Sequence, residues 1–140
     1  MNRVLWAEDD DDDAFLMQLA FEKAGVPNLL FRVSDGAEAK AYLAGQEPFS
    51  DRSLYPLPRL LLLDIKMPQM SGLEVLAWKS SQPELRELPA VMLTASQQPR
   101  DMEEAYRLGA KAYLVKPSTF EGLVDQVKKL HAQWLRNGPD

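Results

Sequence analysis

Four consecutive leucines, Leu60 to Leu63, leave no polar face, and Asp64 follows them with no gap. Such a run predicts a strand buried on both sides, the mark of a parallel sheet covered by helices. Pro68 and Gly72 open a turn soon afterwards. Four other short apolar runs read as strands: Val4–Ala7, Asn28–Val33, Ala90–Leu93 and Ala112–Val115.

Segments of helical period separate these runs. Phe15, Leu16, Leu19, Ala20 and Ala24 predict a first helix that stops at Gly25 and Pro27. Asp35 with Glu38 predicts a helix start, and Ala37–Leu43 the helix, closed by Gly45. Ser71 with Glu74 forms a capping box for a helix through Lys79, with Leu73, Leu76 and Ala77 facing inward. Pro83 and Pro89 bracket a polar connector, and Gln97–Leu108 predicts a polar helix that stops at Gly109. Ser118-Thr119-Phe120-Glu121 reads as a capping box for the last helix, running from about Thr119 to Arg136. Its inner stripe is Phe120, Leu123, Val124, Val127, Leu130 and Trp134; Leu135 falls off that stripe and is expected at the surface. Five strands alternating with five helices predict a doubly wound α/β domain with a five-stranded parallel sheet. Gln46–Pro58, with three prolines and Phe49, Leu54 and Tyr55, is long for a connection and reads as an insertion or a contact surface.

Composition narrows the class. At 140 residues the chain suits one domain, expected to span 1–140 with no output domain after the last helix. Cysteine is absent, which removes thiol nucleophiles and cysteine metal sites and is compatible with a reducing, cytoplasmic setting. Met1-Asn2-Arg3 leads straight into a strand, with no signal peptide, and no apolar run reaches the length of a membrane span. The net charge of −5 and the lack of a basic patch argue against nucleic-acid binding.

The candidate chemistry sits where strands end. The first strand runs into six acidic residues, Glu8 to Asp13. Asp11, Asp12 and Asp13 suit the first turn of a helix, where negative charge complements the dipole. Glu8 and Asp9 have no such role. The third strand ends in Asp64, the fourth in Thr94 and the fifth in Lys116. In an open α/β sheet, ligands bind beyond the carboxyl ends of the strands. Crowded carboxylates call for a cation, and an oxygen-only donor set suits Mg²⁺. A carboxylate can also accept a phosphoryl group, with Lys116 supplying positive charge and Thr94 a hydroxyl to its oxygens.

Glu8-Asp9, Asp64 with Met67-Pro68 and Gly72, Thr94-Ala95, and Tyr113 ahead of Lys116-Pro117 together resemble the receiver domain of two-component response regulators. The likeness covers nearly the whole chain. It implies a sheet order of 2-1-3-4-5, Asp64 as the phosphoacceptor, and Mg²⁺ held by Asp9, by Asp64, by the Lys66 carbonyl and, through water, by Glu8. It also implies Thr94 and Lys116 on the phosphoryl oxygens and Tyr113 as an aromatic switch. Glu8 stands where the family more commonly has Asp. The long loop and the extended last helix resemble the small regulators paired with phytochromes, which implies a sensor histidine kinase as partner. Receivers often dimerise through the face of the fourth helix, fifth strand and fifth helix, and Trp134-Leu135 is the expected contact.

Other readings fit less well. A haloacid-dehalogenase-type phosphatase needs a second acid two residues after the nucleophile, and that position is Lys66. A flavodoxin's first loop cradles a phosphate, which Asp9 to Asp13 would repel. The Gly-rich Lys-Ser/Thr motif of a P-loop enzyme is missing. His131, the one histidine, lies on an amphipathic helix and reads as a surface or core-edge residue. A self-modifying switch, not a turnover enzyme, is therefore expected.

Overall fold

A computed structural model describes residues 3–27 and 29–135 of the chain. Five parallel strands, β1 (Arg3–Ala7), β2 (Leu29–Val33), β3 (Leu60–Leu63), β4 (Ala90–Thr94) and β5 (Ala112–Val115), lie in the order β2-β1-β3-β4-β5. Five helices connect and cover them: α1 (Asp11–Ala24), α2 (Gly36–Ala44), α3 (Gly72–Ser80), α4 (Pro99–Arg107) and α5 (Phe120–Leu130). Asn28, expected to begin the second strand, and residues 136–140, including the expected helix end at Arg136, lie outside the described residues.

The leucine run is explained by the two layers. Leu61 and Leu63 point into the core shared with α2, α3 and α4, whereas Leu60 and Leu62 point into the core shared with α1 and α5. Alternation on β1 is the same, with Leu5 and Ala7 on one side and Val4 and Trp6 on the other. All four leucines are fully buried, which contributes on the order of 6–12 kcal/mol of transfer free energy. That central strand is the fixed platform from which Asp64 projects.

Helix packing departs from the expected stripes in three places. On α1 the buried residues are Ala14, Met17, Ala20 and Phe21, while Phe15 is 64% exposed and Leu16 39%. On α3 the inner face is Val75, Leu76 and the stem of Lys79, while Ala77 is exposed. The α5 N-cap is Thr119, whose side chain accepts from the Gly122 backbone N–H, so the expected Ser118–Glu121 box is not formed.

The end of α5 carries the largest correction. After Leu130 the chain makes a π turn over His131–Leu135. A π turn spaces contacts by five residues instead of four. Leu135, five after Leu130, therefore takes the inward place and is buried at 3% exposure, with Trp134 only partly covered beside it. Leu135 is a core residue and not a surface contact.

The long loop is likewise mostly core. Phe49 is buried, and Phe31, Tyr42, Phe49 and Tyr55 form one aromatic cluster with centroids 5.2 to 6.4 Å apart. Arg52 donates to the carbonyls of Tyr42, Leu43 and Tyr55, capping the carboxyl end of α2. Only Leu54 of the three expected contact residues is strongly exposed.

Candidate phosphoacceptor site

Asp64 leaves β3 at its carboxyl end and is buried. Its backbone carbonyl runs so close to α3 that a Cβ on Gly72 would lie 2.1 Å from it. Only glycine permits that approach, and the Gly72 N–H then donates to the Ile65 carbonyl at 3.0 Å, closing the turn behind the aspartate. Ser71 and Glu74 form the expected capping box and hold the same turn from the helix side.

Glu8 continues β1 and is 1% exposed. Its carboxylate accepts from the Asp10 N–H at 3.0 Å, and its carbonyl accepts from Arg32 at 2.8 Å. Burial pushes the Glu8 carboxyl above its ordinary value, and the nearby Lys116 offsets only part of that.

Lys116 joins these groups. Its Nζ lies 2.7 Å from Glu8 Oε1, 2.8 Å from Asp64 Oδ2 and 2.9 Å from Asp13 Oδ2. Burial opposes the charge on Lys116, but the hydrogen bonds to Asp64, Glu8 and Asp13 outweigh it and hold the ammonium above its ordinary value. Three carboxylates share one ammonium, so the group keeps a net negative charge. A β5 backbone bond, Lys116 N–H to the Thr94 carbonyl at 2.8 Å, fixes where the lysine starts.

Thr94 ends β4 and is 1% exposed. Its hydroxyl oxygen accepts from the Ser96 N–H at 3.3 Å, leaving its own proton free to donate. Tyr113 is buried, and its hydroxyl donates to the Ser96 carbonyl at 3.0 Å. Ser96 Oγ in turn donates to Asp101 at 2.6 Å. Asp64, Lys66, Thr94, Ala95, Ser96 and Gln97 line an open cavity of about 330 Å³.

The structure thus brings together Glu8, Asp64, Thr94 and Lys116, with Tyr113 tied to the same loop as Thr94. Asp9 and Lys66 are exposed, Lys66 lining the cavity, and neither takes part in the ion-paired group. Sequence reasoning missed Asp13, which was assigned to the helix dipole alone, and Ser96. The signal for Asp13 was spacing: with the N-cap at Asp10, Asp13 is one turn in, on the side toward the sheet rim. Asp10 accepts from the Asp13 N–H as that cap, and Asp11 pairs with Arg32 at 2.8 Å.

The donor set is of the kind that binds Mg²⁺. Glu8 and Asp64 offer oxygens held by the same ammonium, hence less than two hydrogen-bond lengths apart, and the exposed Asp9 follows Glu8 directly in the chain. The donors are hard oxygens in negative excess, and they fit that ion. Among the described residues no group of three or more Asp, Glu or His side chains is placed to hold a metal ion, so the fit rests on two carboxylates plus backbone and water oxygens.

The response regulator receiver domain model matches residues 4–128. The chain is 36% identical over 132 residues to the protein named Probable methanogenesis regulatory protein FilR2 from Methanothrix harundinacea, covering 94% of this chain and 83% of the relative. It is 32% identical over 132 residues to response regulator Rcp1 of Synechocystis, covering 94% and 88%. The Mn(2+)-bound form of response regulator Rcp1 superposes with a TM-score of 0.87 at 30% identity, covering 99% of this chain and 98% of that one. The phosphorylated cyanobacterial phytochrome response regulator RcpA superposes with a TM-score of 0.89 at 32% identity, covering 99% and 96%. With its sheet order, its acidic rim and this match over most of its length, the chain belongs to the response regulator receiver domain family of two-component phosphorelays.

Proposed function

We propose that this receiver is switched by transfer of a phosphoryl group to Asp64, and that Mg²⁺ is its ion. The single observation carrying the assignment is the 2.8 Å contact between Asp64 Oδ2 and Lys116 Nζ beside the open cavity that reaches Thr94. An Asp64 oxygen attacks phosphorus, an O–P bond forms, and the bond from phosphorus to the donor's nitrogen breaks. Lys116 supplies positive charge, and the Thr94 hydroxyl a hydrogen bond, to the phosphoryl oxygens. Asp9, Asp64, the Lys66 carbonyl and, through water, Glu8 would hold Mg²⁺, which neutralises charge on the transferred group when bound. The position two places after Asp64 is Lys66, not the carboxylic acid that a haloacid-dehalogenase-type phosphatase uses there, which favours a switch over a turnover enzyme.

The partner is proposed to be a sensor histidine kinase, and the likeness to phytochrome response regulators supports a phytochrome-type one. Beside the rim, Leu16 and Phe120 expose apolar surface next to Asp13 and Lys116, on which the donor's helices would pack. Output is proposed to pass by protein contact or phosphate relay. Self-association is proposed through the α4-β5-α5 face, where Met102 and Tyr106 are exposed; Leu135 takes no part because it is buried. No described helix is long and apolar enough to cross a membrane.

The test is transfer from an autophosphorylated phytochrome-type kinase in the presence of Mg²⁺. Wild type should take up label within seconds to minutes and Asp64→Asn none. Label retained by Asp64→Asn would place the acceptor elsewhere.

A further inference from the structure

On the rim opposite Asp64, the carboxyl ends of α3 and α4 enclose a cavity of about 230 Å³ lined by Lys79, Ser80, Arg86, Leu88, Leu108, Gly109 and Lys111. Three of these are cations and none is an acid. That is unusual for a chain whose net charge is −5. Lys79 is the informative one. It is 9% exposed, and it makes no ion pair or side-chain hydrogen bond among the described residues. Arg86 and Lys111, both exposed, make none either.

A lysine in the last turn of a helix ordinarily complements the dipole there. Here the neighbouring carbonyls already accept other hydrogen bonds, and among the described residues none accepts from Lys79 Nζ. Ser80 Oγ donates to the Ala77 carbonyl, Ser81 Oγ to the Trp78 carbonyl, and the Gln82 N–H to the Lys79 carbonyl. At the end of α4, the N–H groups of Leu108, Gly109 and Ala110 occupy the carbonyls of Glu104, Tyr106 and Ala105. Lys79 is thus a mostly buried side chain with no ion pair or side-chain hydrogen bond among the described residues, and its Nζ keeps access to solvent at the cavity it lines. Burial, and after it the like charge of Lys111, pulls its ammonium below the ordinary value. A cation held in this way, beside two others, favours an anion in the same cavity.

We infer that this cavity binds a phosphate-type oxyanion, with Lys79 at its floor and Arg86 and Lys111 at its mouth. Its volume lies below the roughly 300–1,000 Å³ of sites that enclose drug-sized ligands, so the ligand is a single small anion or the phosphate end of a larger one. Arg86 suits a phosphate in particular, because its planar fork can pair two oxygens at once. The site is separate from the acceptor rim and independent of phosphoryl transfer there.

The test is a titration of the isotope-labelled protein with inorganic phosphate, and separately with glycerol phosphate, at constant ionic strength. Saturable amide shifts are expected at Lys79, Gly109 and Lys111. Equal affinity for the two probes would identify the free phosphate group as the ligand, and tighter binding of glycerol phosphate a phosphomonoester. Lys79→Met keeps the buried stem and should weaken binding by about tenfold or more, the value of one charge-assisted hydrogen bond. Arg86→Ala with Lys111→Ala changes only exposed groups and should weaken binding to a similar degree, so the idea stays testable if Lys79→Met misfolds. Shifts that never saturate with either probe, or that persist unchanged in the double variant, would overturn the inference.

Discussion

The Tyr113 hydroxyl donates to the Ser96 carbonyl at 3.0 Å, tying β5 to the loop that follows Thr94. The same loop is held from the other side by Ser96 Oγ on Asp101 of α4. One serine thus ties the loop after Thr94 to both α4 and β5. Removing the hydroxyl in Tyr113→Phe should cost about 1 kcal/mol of stability, the net worth of a typical hydrogen bond. It should also broaden the amide signals of Ala95 to Gln98 in relaxation-dispersion spectra. Unchanged spectra would mean that the bond does not restrain the loop.

Charge crowding at the rim predicts that function is held against stability. Glu8, Asp13 and Asp64 converge on one ammonium. In Mg²⁺-free buffer, Asp64→Asn should therefore melt higher than wild type, by about 1 kcal/mol. Mg²⁺ at about a hundred times its dissociation constant should stabilise wild type by roughly 2.7 kcal/mol through binding the native state. That gain should shrink in Asp64→Asn and in Asp9→Ala. A full shift in Asp9→Ala would put the ion at other residues.

Lys116 gives a pH dependence with a definite sign. Its folded value lies above the ordinary 10.5 because three carboxylates hold its proton. Above that pH the native state keeps a proton that the unfolded chain has released, so stability is complete below pH 10.5 and falls as pH rises past it. Urea melts at about pH 9 and about pH 11 should show a larger loss for wild type than for Lys116→Met. Equal losses would mean that the ion pairs add nothing to folding.

The five strands and four of the site residues were legible because each depends on local pattern. A buried run needs only apolar side chains, and Glu8, Asp64, Thr94 and Lys116 are polar residues where such runs stop. The face of α1 was not legible, since Ala14–Met17–Phe21 and Phe15–Leu19 both have helical spacing and the sheet decides between them. Asp13 was hidden because its partner lies 103 positions away, on a side chain long enough to cross the rim. Leu135 was misplaced because a constant period of 3.6 was carried through a segment that widens to a π turn.

That last point has its own test. If Leu135 fills the α1–α5 core, Leu135→Ala should cost about 2–5 kcal/mol. It should leave self-association, read by sedimentation, unchanged, whereas Tyr106→Asp on α4 should weaken it without loss of stability. A stability change under about 0.5 kcal/mol in Leu135→Ala would be the behaviour of an exposed residue.

The most direct measurement is the intact mass of the protein after incubation with Mg²⁺ and a small-molecule phosphodonor. One added phosphoryl group is expected on wild type, mapped to the peptide carrying Asp64 and lost on treatment with hydroxylamine. Thr94→Ala should gain it as well, and Asp64→Asn should stay at its starting mass. A phosphoryl group on Asp64→Asn, or one mapped in wild type to a residue other than Asp64, would contradict the assignment.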